Sequence, residues 1–286
     1  WIAHLLQEMA SLGTEDENGD LSRFANWVFV KLDQKNAHNS YKRAAAQRAL
    51  DAIPKASAFA RVHYATNVHA PALVSHIHGK AVKVCESIEG GQQGSPLVPP
   101  AYGAVLDPIL KNLDSKLGDD GLVRAIQDDI LVVGEPAQVF AHLGSLIEEL
   151  KEIGGELAQG RGKNSIYRPR GPLEEGNFPH YLTQSYHEDA EGNKSYGFEL
   201  CGAGIGCTGY IHHHLRGKVD KIKDLVNEHS ELMSNRDAQV SHALNRLSWQ
   251  MKPDYLLATH TPADTRPFIA ELDELTRLAA KRGLGI

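Results

Sequence analysis

Three carboxylates in this 286-residue chain have a type and spacing that could do chemistry. Asp128 and Asp129 are adjacent and lie between two short apolar runs, Leu122 to Ile126 and Ile130 to Val133. Asp33 stands far upstream, at the end of the apolar run Trp27 to Leu32. Like charges side by side cost energy unless a cation offsets them. Hard divalent cations such as Mg²⁺ prefer oxygen ligands. Two such cations about 3.5–4 Å apart can clamp the attacking and leaving oxygens of a phosphoryl or nucleotidyl transfer. An Asp-Asp pair alone is ordinary turn chemistry; strands on both sides make it a candidate site.

The elements that must position these acids follow from periodicity. Trp27 to Leu32 is rich in aromatic and β-branched residues and predicts a strand. Ser40 to Ala52 predicts a helix, Ala-rich with basic residues on its polar side. Arg61 to Val84 mixes short strand-like pieces. The Gly-rich turn Gly90 to Pro96 leads into the apolar run Leu97 to Leu113, with Ser95 as the expected N-cap and Pro96 at the first helical position. The runs around Gln127-Asp128-Asp129 predict a hairpin with acids at its tip. Ala137 to Ile153 is a periodic amphipathic helix (Val139, Phe140, Leu143, Leu146, Ile147, Leu150). Residues 1–12 read as a short helix and Gly13 to Asp20 as a loop. Arg168 to Asn193 is polar and rich in Pro and Gly, an expected inserted loop; three or four helices follow Gly209. This order predicts an α+β domain with helices on one face of an antiparallel sheet.

Composition sets outer bounds. An apolar content of 42% and a charged content of 23% belong to an ordinary globular chain. No run of 18 apolar residues exists, so no membrane span is expected. The N-terminus lacks a Met and a charged-then-apolar leader, so no signal peptide is expected and the chain reads as a fragment of something longer. The three cysteines, Cys85, Cys201 and Cys207, fit a reducing compartment better than a disulfide scaffold. A net charge of -6 argues mildly against nucleic acid. Basic residues nevertheless cluster at Lys42, Arg43, Arg48, Lys55 and Arg61, at Arg161, Lys163, Arg168 and Arg170, and at Arg216, Lys218, Lys221 and Lys223. Such clusters are solvated helix faces or local phosphate-binding grooves.

The segment Leu32 to Ser40 (LDQKNAHNS) resembles motif A of non-LTR (LINE-like) retrotransposon reverse transcriptases, Asp-x-x-Asn-Ala-Phe-Asn. Glu89 to Leu97 (EGGQQGSPL) is similar to motif B, and Ala125 to Leu131 (AIQDDIL) to motif C. The helix running into Gly154-Gly155-Glu156-Leu157, and then Lys163, resembles motif D. The ordered set covers about residues 28–165, and Leu200 to Gly206 and Tyr255 to Asp273 resemble the region after the palm. The resemblance implies an N-terminal remnant over 1–27, a polymerase palm over 28–175, a polar loop over 176–195 and a mainly helical thumb-like region over 196–286.

It also implies roles. Asp33, Asp128 and Asp129 would bind Mg²⁺ or Mn²⁺, and Lys163 would sit by the departing pyrophosphate. Asn36, His38, Gln93, Gly94, Ser95 and Pro96 would lie against nucleotide and template. The implied activity is RNA-directed DNA polymerisation in nucleus or cytoplasm, with RNA template, DNA primer and deoxynucleotide triphosphates as partners. There are departures. His38 stands where the family carries an aromatic ring under the sugar, which predicts weaker rejection of the ribose 2′-hydroxyl. Ile126 replaces the motif C aromatic, and no fingers motifs are evident in residues 1–27. An inactive polymerase-like remnant that at most binds nucleic acid is the alternative. A remote one is an NAD-dependent oxidoreductase using Gly204 to Gly209 (GIGCTG) as a dinucleotide-binding turn. His76, His78 and His212 to His214 invite a zinc reading, but neighbouring histidines on a helix point to different faces and no metal-ligand frame surrounds them.

Overall fold

The computed structural model describes residues 6–7, 23–58, 72–91, 94–160, 162–233 and 251–284. The described residues form an α+β fold of antiparallel sheets and helices, divided into two compact units. One comprises Val28–Ser165 with Glu175–Thr183; the other comprises Trp1–Trp27, Ile166–Glu174 and Gln184–Ile286.

In the first unit the central strand is β1 (Val28–Asp33). It pairs antiparallel with β5 (Asp129–Gly134), which pairs in turn with β4 (Gly121–Ile126). Ser165, the first residue of β6 (Ser165–Tyr167), lies at the far edge of β1. Gly121 and Gly134 sit opposite each other. A Cβ on Gly121 would strike Leu117 of α3 (Val98–Leu117), and one on Gly134 would meet Val139 of α4 (Pro136–Glu152). That face of the sheet therefore carries both helices. Because side chains alternate along a strand, Val28, Val30 and Leu32 share it, all buried. The opposite face receives Lys31, Asp33 and Asp129.

The helices obey their end rules. The Glu135 carboxylate accepts the N–H groups of Ala137 and Gln138 as the N-cap of α4, with Pro136 at its first position. α3 starts at Val98 rather than near Pro96, which places Pro99 and Pro100 in its first turn, where no N–H partner is needed; Pro108 lies further along, inside the helix. The helix expected over Ser40 to Ala52 starts later, as α2 (Arg43–Asp51), and a separate short helix, α1 (Ala37–Ser40), precedes it. Between them Tyr41 is extended and fully buried, 5.8 Å from Tyr102 of α3. A two-stranded hairpin, β2 (Ala72–Ile77) with β3 (Lys80–Glu86), turns at His78-Gly79, both at positive φ.

In the second unit β7 (Tyr186–Glu188), β8 (Lys194–Leu200) and β9 (Ala203–Gly206) form an antiparallel sheet. β7 lies inside the segment Arg168 to Asn193 expected to be a loop, and β8 begins directly after it. The ladder there joins polar and aromatic residues (Tyr186 opposite Tyr196, Glu188 opposite Lys194), a pattern without apolar alternation. α5 (Thr208–Met233) then lays Ile211, Leu215, Val219, Ile222 and Val226 at helical spacing onto a core shared with Leu256, Phe268, Leu272 and Leu275. Leu256 belongs to α6 (Met251–Thr259); α7 (Pro262–Thr265) and α8 (Ile269–Leu284) complete the helical part. No helix among the described residues is long and apolar enough to cross a membrane.

Candidate active site

The site is built at one end of β1. Asp33 and Asp129 are direct partners in the antiparallel register, which places their Cβ atoms about 4.5–5.5 Å apart on one face. Asp128 occupies the two-residue hairpin tip with Gln127, whose φ of 58° is left-handed. Backbone groups anchor Asp33 on both sides. Its N–H donates to the Asn164 side-chain carbonyl at 3.1 Å, and its carbonyl accepts from Ala158 N–H at 2.8 Å. Asn164 is itself buried and donates to Ala158 O. Gln34, 2% exposed, ties the strand end to the tip and to α3. Its Nε2 donates to the Asp128 carbonyl, and its Oε1 accepts from the Tyr102 hydroxyl at 2.5 Å. Burial drives the Tyr102 hydroxyl well above its ordinary pKa, against the opposing pull of the bond to Gln34.

An open cleft of about 620 Å³ lies over this end of the sheet, lined by Asp33, Asn36, His38, Asp128, Gln159 and Lys163 among others. Lys163 donates to the Asp33 carboxylate at 3.0 Å, and that bond, then the charge of Asp33, raises the lysine's pKa. Asn36, at φ 51°, opens α1, and its carbonyl accepts the N–H groups of Asn39 and Ser40. His38 packs edge-on to Tyr102 with ring centroids 5.4 Å apart, and its Nε2 is buried without a hydrogen-bond partner. Asp129 does not line the cleft. Its carboxylate meets the Lys31 ammonium at 3.3 Å. Gly94, Ser95 and Pro96 lie in the turn before α3 and do not line the cleft; Gln93 lies outside the described residues. The preceding Gly90 and Gly91 dock directly behind α1: their N–H groups donate to Tyr41 O and His38 O. Gly90 must be glycine, since its φ is +61° and a Cβ would lie 2.2 Å from the Asn39 backbone. Arg43 closes this junction with bonds to Gly90 O and to Ser87.

Two carboxylates facing one cleft suit Mg²⁺, which is commonly held by one or two carboxylates with waters and substrate phosphates completing six oxygens. Asp33 and Asp128 provide that pair. Among the described residues no group of three or more His, Cys, Asp or Glu is placed to hold a metal ion. Lys31, Gln34, Tyr102 and Asn164 were missed from the sequence. Only Lys31 carried a usable signal: it sits two residues before Asp33 in an apolar strand, hence on the same face.

The second unit accounts for the rival motifs. Gly204 to Gly209 does run from strand into helix, but the strand belongs to an antiparallel sheet, not the parallel sheet a dinucleotide fold needs. Its glycines serve packing. A Cβ on Gly204 would strike His214, and one on Gly206 would strike the β8 backbone. Gly204 N–H donates to His260 Nε2 at 3.0 Å, so His260 carries its proton on Nδ1, facing Leu256 O at 3.0 Å. His213 stacks on His187 with centroids 3.3 Å apart, and His214 Nε2 bonds Gly202 O. The later basic residues have local partners: Arg168 on Gly171 and Pro172 carbonyls, Arg170 on Asn26, Arg216 on Glu271, Lys218 on Glu199. Arg61 and Arg161 lie outside the described residues.

No protein-family model matches the chain, and no curated protein matches it in sequence. Among solved structures it is similar to apo telomerase from Candida tropicalis, at 11% identity and TM-score 0.48, over 99% of this chain and 51% of that one. Telomerase from Candida albicans in complex with the TWJ fragment of telomeric RNA aligns at 12% identity and TM-score 0.40, over 99% of this chain and 47% of that one. The C. tropicalis apo enzyme truncated from its C-terminal domain aligns at 10% identity and TM-score 0.38, over 61% and 36%. The chain thus spans about half or less of each of these proteins.

Proposed function

We propose that the cleft over Asp33 and Asp128 is the nucleotidyl-transfer site of an RNA-directed DNA polymerase of reverse-transcriptase type, drawn from a non-LTR retrotransposon. The observation that carries this reading is the register of β1 and β5. It sets Asp33 opposite Asp129 with Asp128 at the adjoining tip, so Asp33 and the distant Asp128-Asp129 pair come together beside an open cleft that Asp33 and Asp128 line. Mg²⁺ or Mn²⁺ held by Asp33 and Asp128 would polarise the transferred phosphate and lower the pKa of the attacking hydroxyl. The chain's own residues do the rest. Gln34 fixes the height of the hairpin tip, Asn164 and Ala158 fix the end of β1, and Lys163 reaches over Asp33 to offset charge developing on the departing pyrophosphate. Asn36 and His38 form the wall nearest a bound nucleotide. RNA template, DNA primer and deoxynucleotide triphosphates are the corresponding partners.

A polymerase-like remnant without turnover is the second reading, favoured by one observation: both Asp33 and Asp129 are ion-paired with lysines. Primer extension separates the two. The purified protein is expected to extend a DNA primer on an RNA template with Mg²⁺, and Asp128→Asn combined with Asp129→Asn to lower the rate by on the order of 10³-fold. Absence of extension, or extension that survives the double substitution, rules the polymerase out.

A further inference from the structure

The two lysines on the acids are not alike. Lys163 is half exposed, and its ammonium reaches Asp33 from a loop. Lys31 sits inside a central strand with its side chain only 10% exposed, and the Asp129 carboxylate it meets is 19% exposed. Lys31 opposes Leu131 in the ladder, and Asp33 opposes Asp129. Lys31 is therefore diagonal to Asp129 on the shared face, within reach of a long side chain. A buried ammonium is tolerated only when paired, so this contact is part of the folded state. Lys163 can swing into water at little cost, because exposed ion pairs are weak.

We propose that Lys31 is a built-in counter-ion of the acid cluster, a positioning residue that acts through Asp129. It neutralises one of three converging carboxylates, lets the hairpin tip close against β1 without a bound metal, and leaves Asp33 and Asp128 as the pair that takes a divalent cation. The inference rests on the polymerase reading for the identity of the cation and deepens it by dividing the three acids into two ligands and one internally compensated group. Three unpaired carboxylates at this spacing would repel one another, and Lys31 removes that strain. Cation entry then needs to displace only the exposed Lys163.

Mn²⁺ titration of the whole chain, followed by the electron paramagnetic resonance of free Mn²⁺ and without nucleotide or nucleic acid, tests this. Asp33→Asn and Asp128→Asn are each expected to weaken Mn²⁺ binding by on the order of tenfold or more, since affinity follows ligand charge. Asp129→Asn is expected to change it less than about threefold on the same grounds. Lys31→Met, which withdraws the cation competing for Asp129, is expected to tighten binding, and adding Asp129→Asn to it to remove the gain. A merely structural lysine would not give that sign or that coupling. Where Lys31→Met does not melt cooperatively, Lys31→Arg replaces it and should bind Mn²⁺ as the parent does. Asp129→Asn as damaging as Asp128→Asn, or Lys31→Met unchanged or weaker, overturns the proposal. The expected Mn²⁺ pattern without primer extension leaves Lys31 in this role and removes the polymerase reading. Extension with the wrong pattern does the reverse. A chain that binds no Mn²⁺ removes both.

Discussion

The first unit leaves its buried polar groups facing an opening, and the second turns its own inward. Around the cleft, Lys31, Gln34 and Asn164 are nearly inaccessible, yet each bonds one of the three acids at its edge: the Asp129 carboxylate, the Asp128 carbonyl and the Asp33 N–H. In the second unit His260, Asp264 and Thr265 are as buried, but their partners are the backbone and side chains of their own helix ends and the β9 strand. Buried polar groups are bonded almost everywhere in proteins. What marks a site is a bonded scaffold whose last members, here the carboxylates of Asp33 and Asp128, still face space large enough for a ligand.

The largest effect that separates the two patterns should come from Gln34. Gln34→Leu keeps the volume but releases the hairpin tip and leaves the Tyr102 hydroxyl buried without Gln34 as its partner. Misplacing reacting groups by about 1 Å can cost 10²-fold, so primer extension is expected to fall by about that factor with the protein still folded. If Gln34→Leu lowers the melting temperature sharply while the extension rate per folded molecule is kept, the cleft scaffold is only core, and the contrast with the second unit collapses.

His260→Phe should do the opposite. It strips the acceptor from Gly204 N–H, while Leu256 O keeps the backbone N–H of residue 260 and the Thr259 hydroxyl as donors. Leaving such a buried group unsatisfied costs about 1–3 kcal/mol, so chemical denaturation should show a loss of that order in the second unit. Mn²⁺ affinity should not change. A change in Mn²⁺ affinity would mean that the second unit's polar core is coupled to the acids.

The sequence made the acid framework legible and hid its supports, for one physical reason. Strand periodicity and turn chemistry are local, so Val28 to Asp33, the hairpin around Asp128 and the amphipathic α4 could be read within a residue or two. Asn164 lies 131 residues from Asp33, and Tyr102 lies 68 from Gln34; nothing local announces such pairings. The extended backbone at Tyr41 was equally hidden, because nothing local in Ser40-Tyr41-Lys42 forbids a helix and tertiary burial of the ring decides the backbone. The acidic neighbours at the tip looked equivalent on paper. Strand alternation separates them, sending Asp129 to Lys31 and leaving Asp128 on the cleft.

The smallest effect concerns pH and the histidines of the second unit. Burial is the main cause holding His214 below the ordinary imidazole pKa, and His213 is lowered by burial and by the charge of His187. A histidine whose folded-state pKa lies below its unfolded value of about 6.5 binds fewer protons when folded, so stability rises with pH through that window. The stability is complete above the unfolded value and is lost as pH falls toward the depressed one. Melting temperature should therefore be flat from pH 8 to about 7 and decline below about 6.5. His214→Gln, which keeps a donor for Gly202 O without a titrating ring, should flatten part of that decline. If the decline persists unchanged in His214→Gln, other groups that titrate on unfolding carry it and the second unit's histidines are passive. A flattened decline with Mn²⁺ binding of the same pH profile in parent and variant would show that the two units keep their protons and their metal on separate accounts.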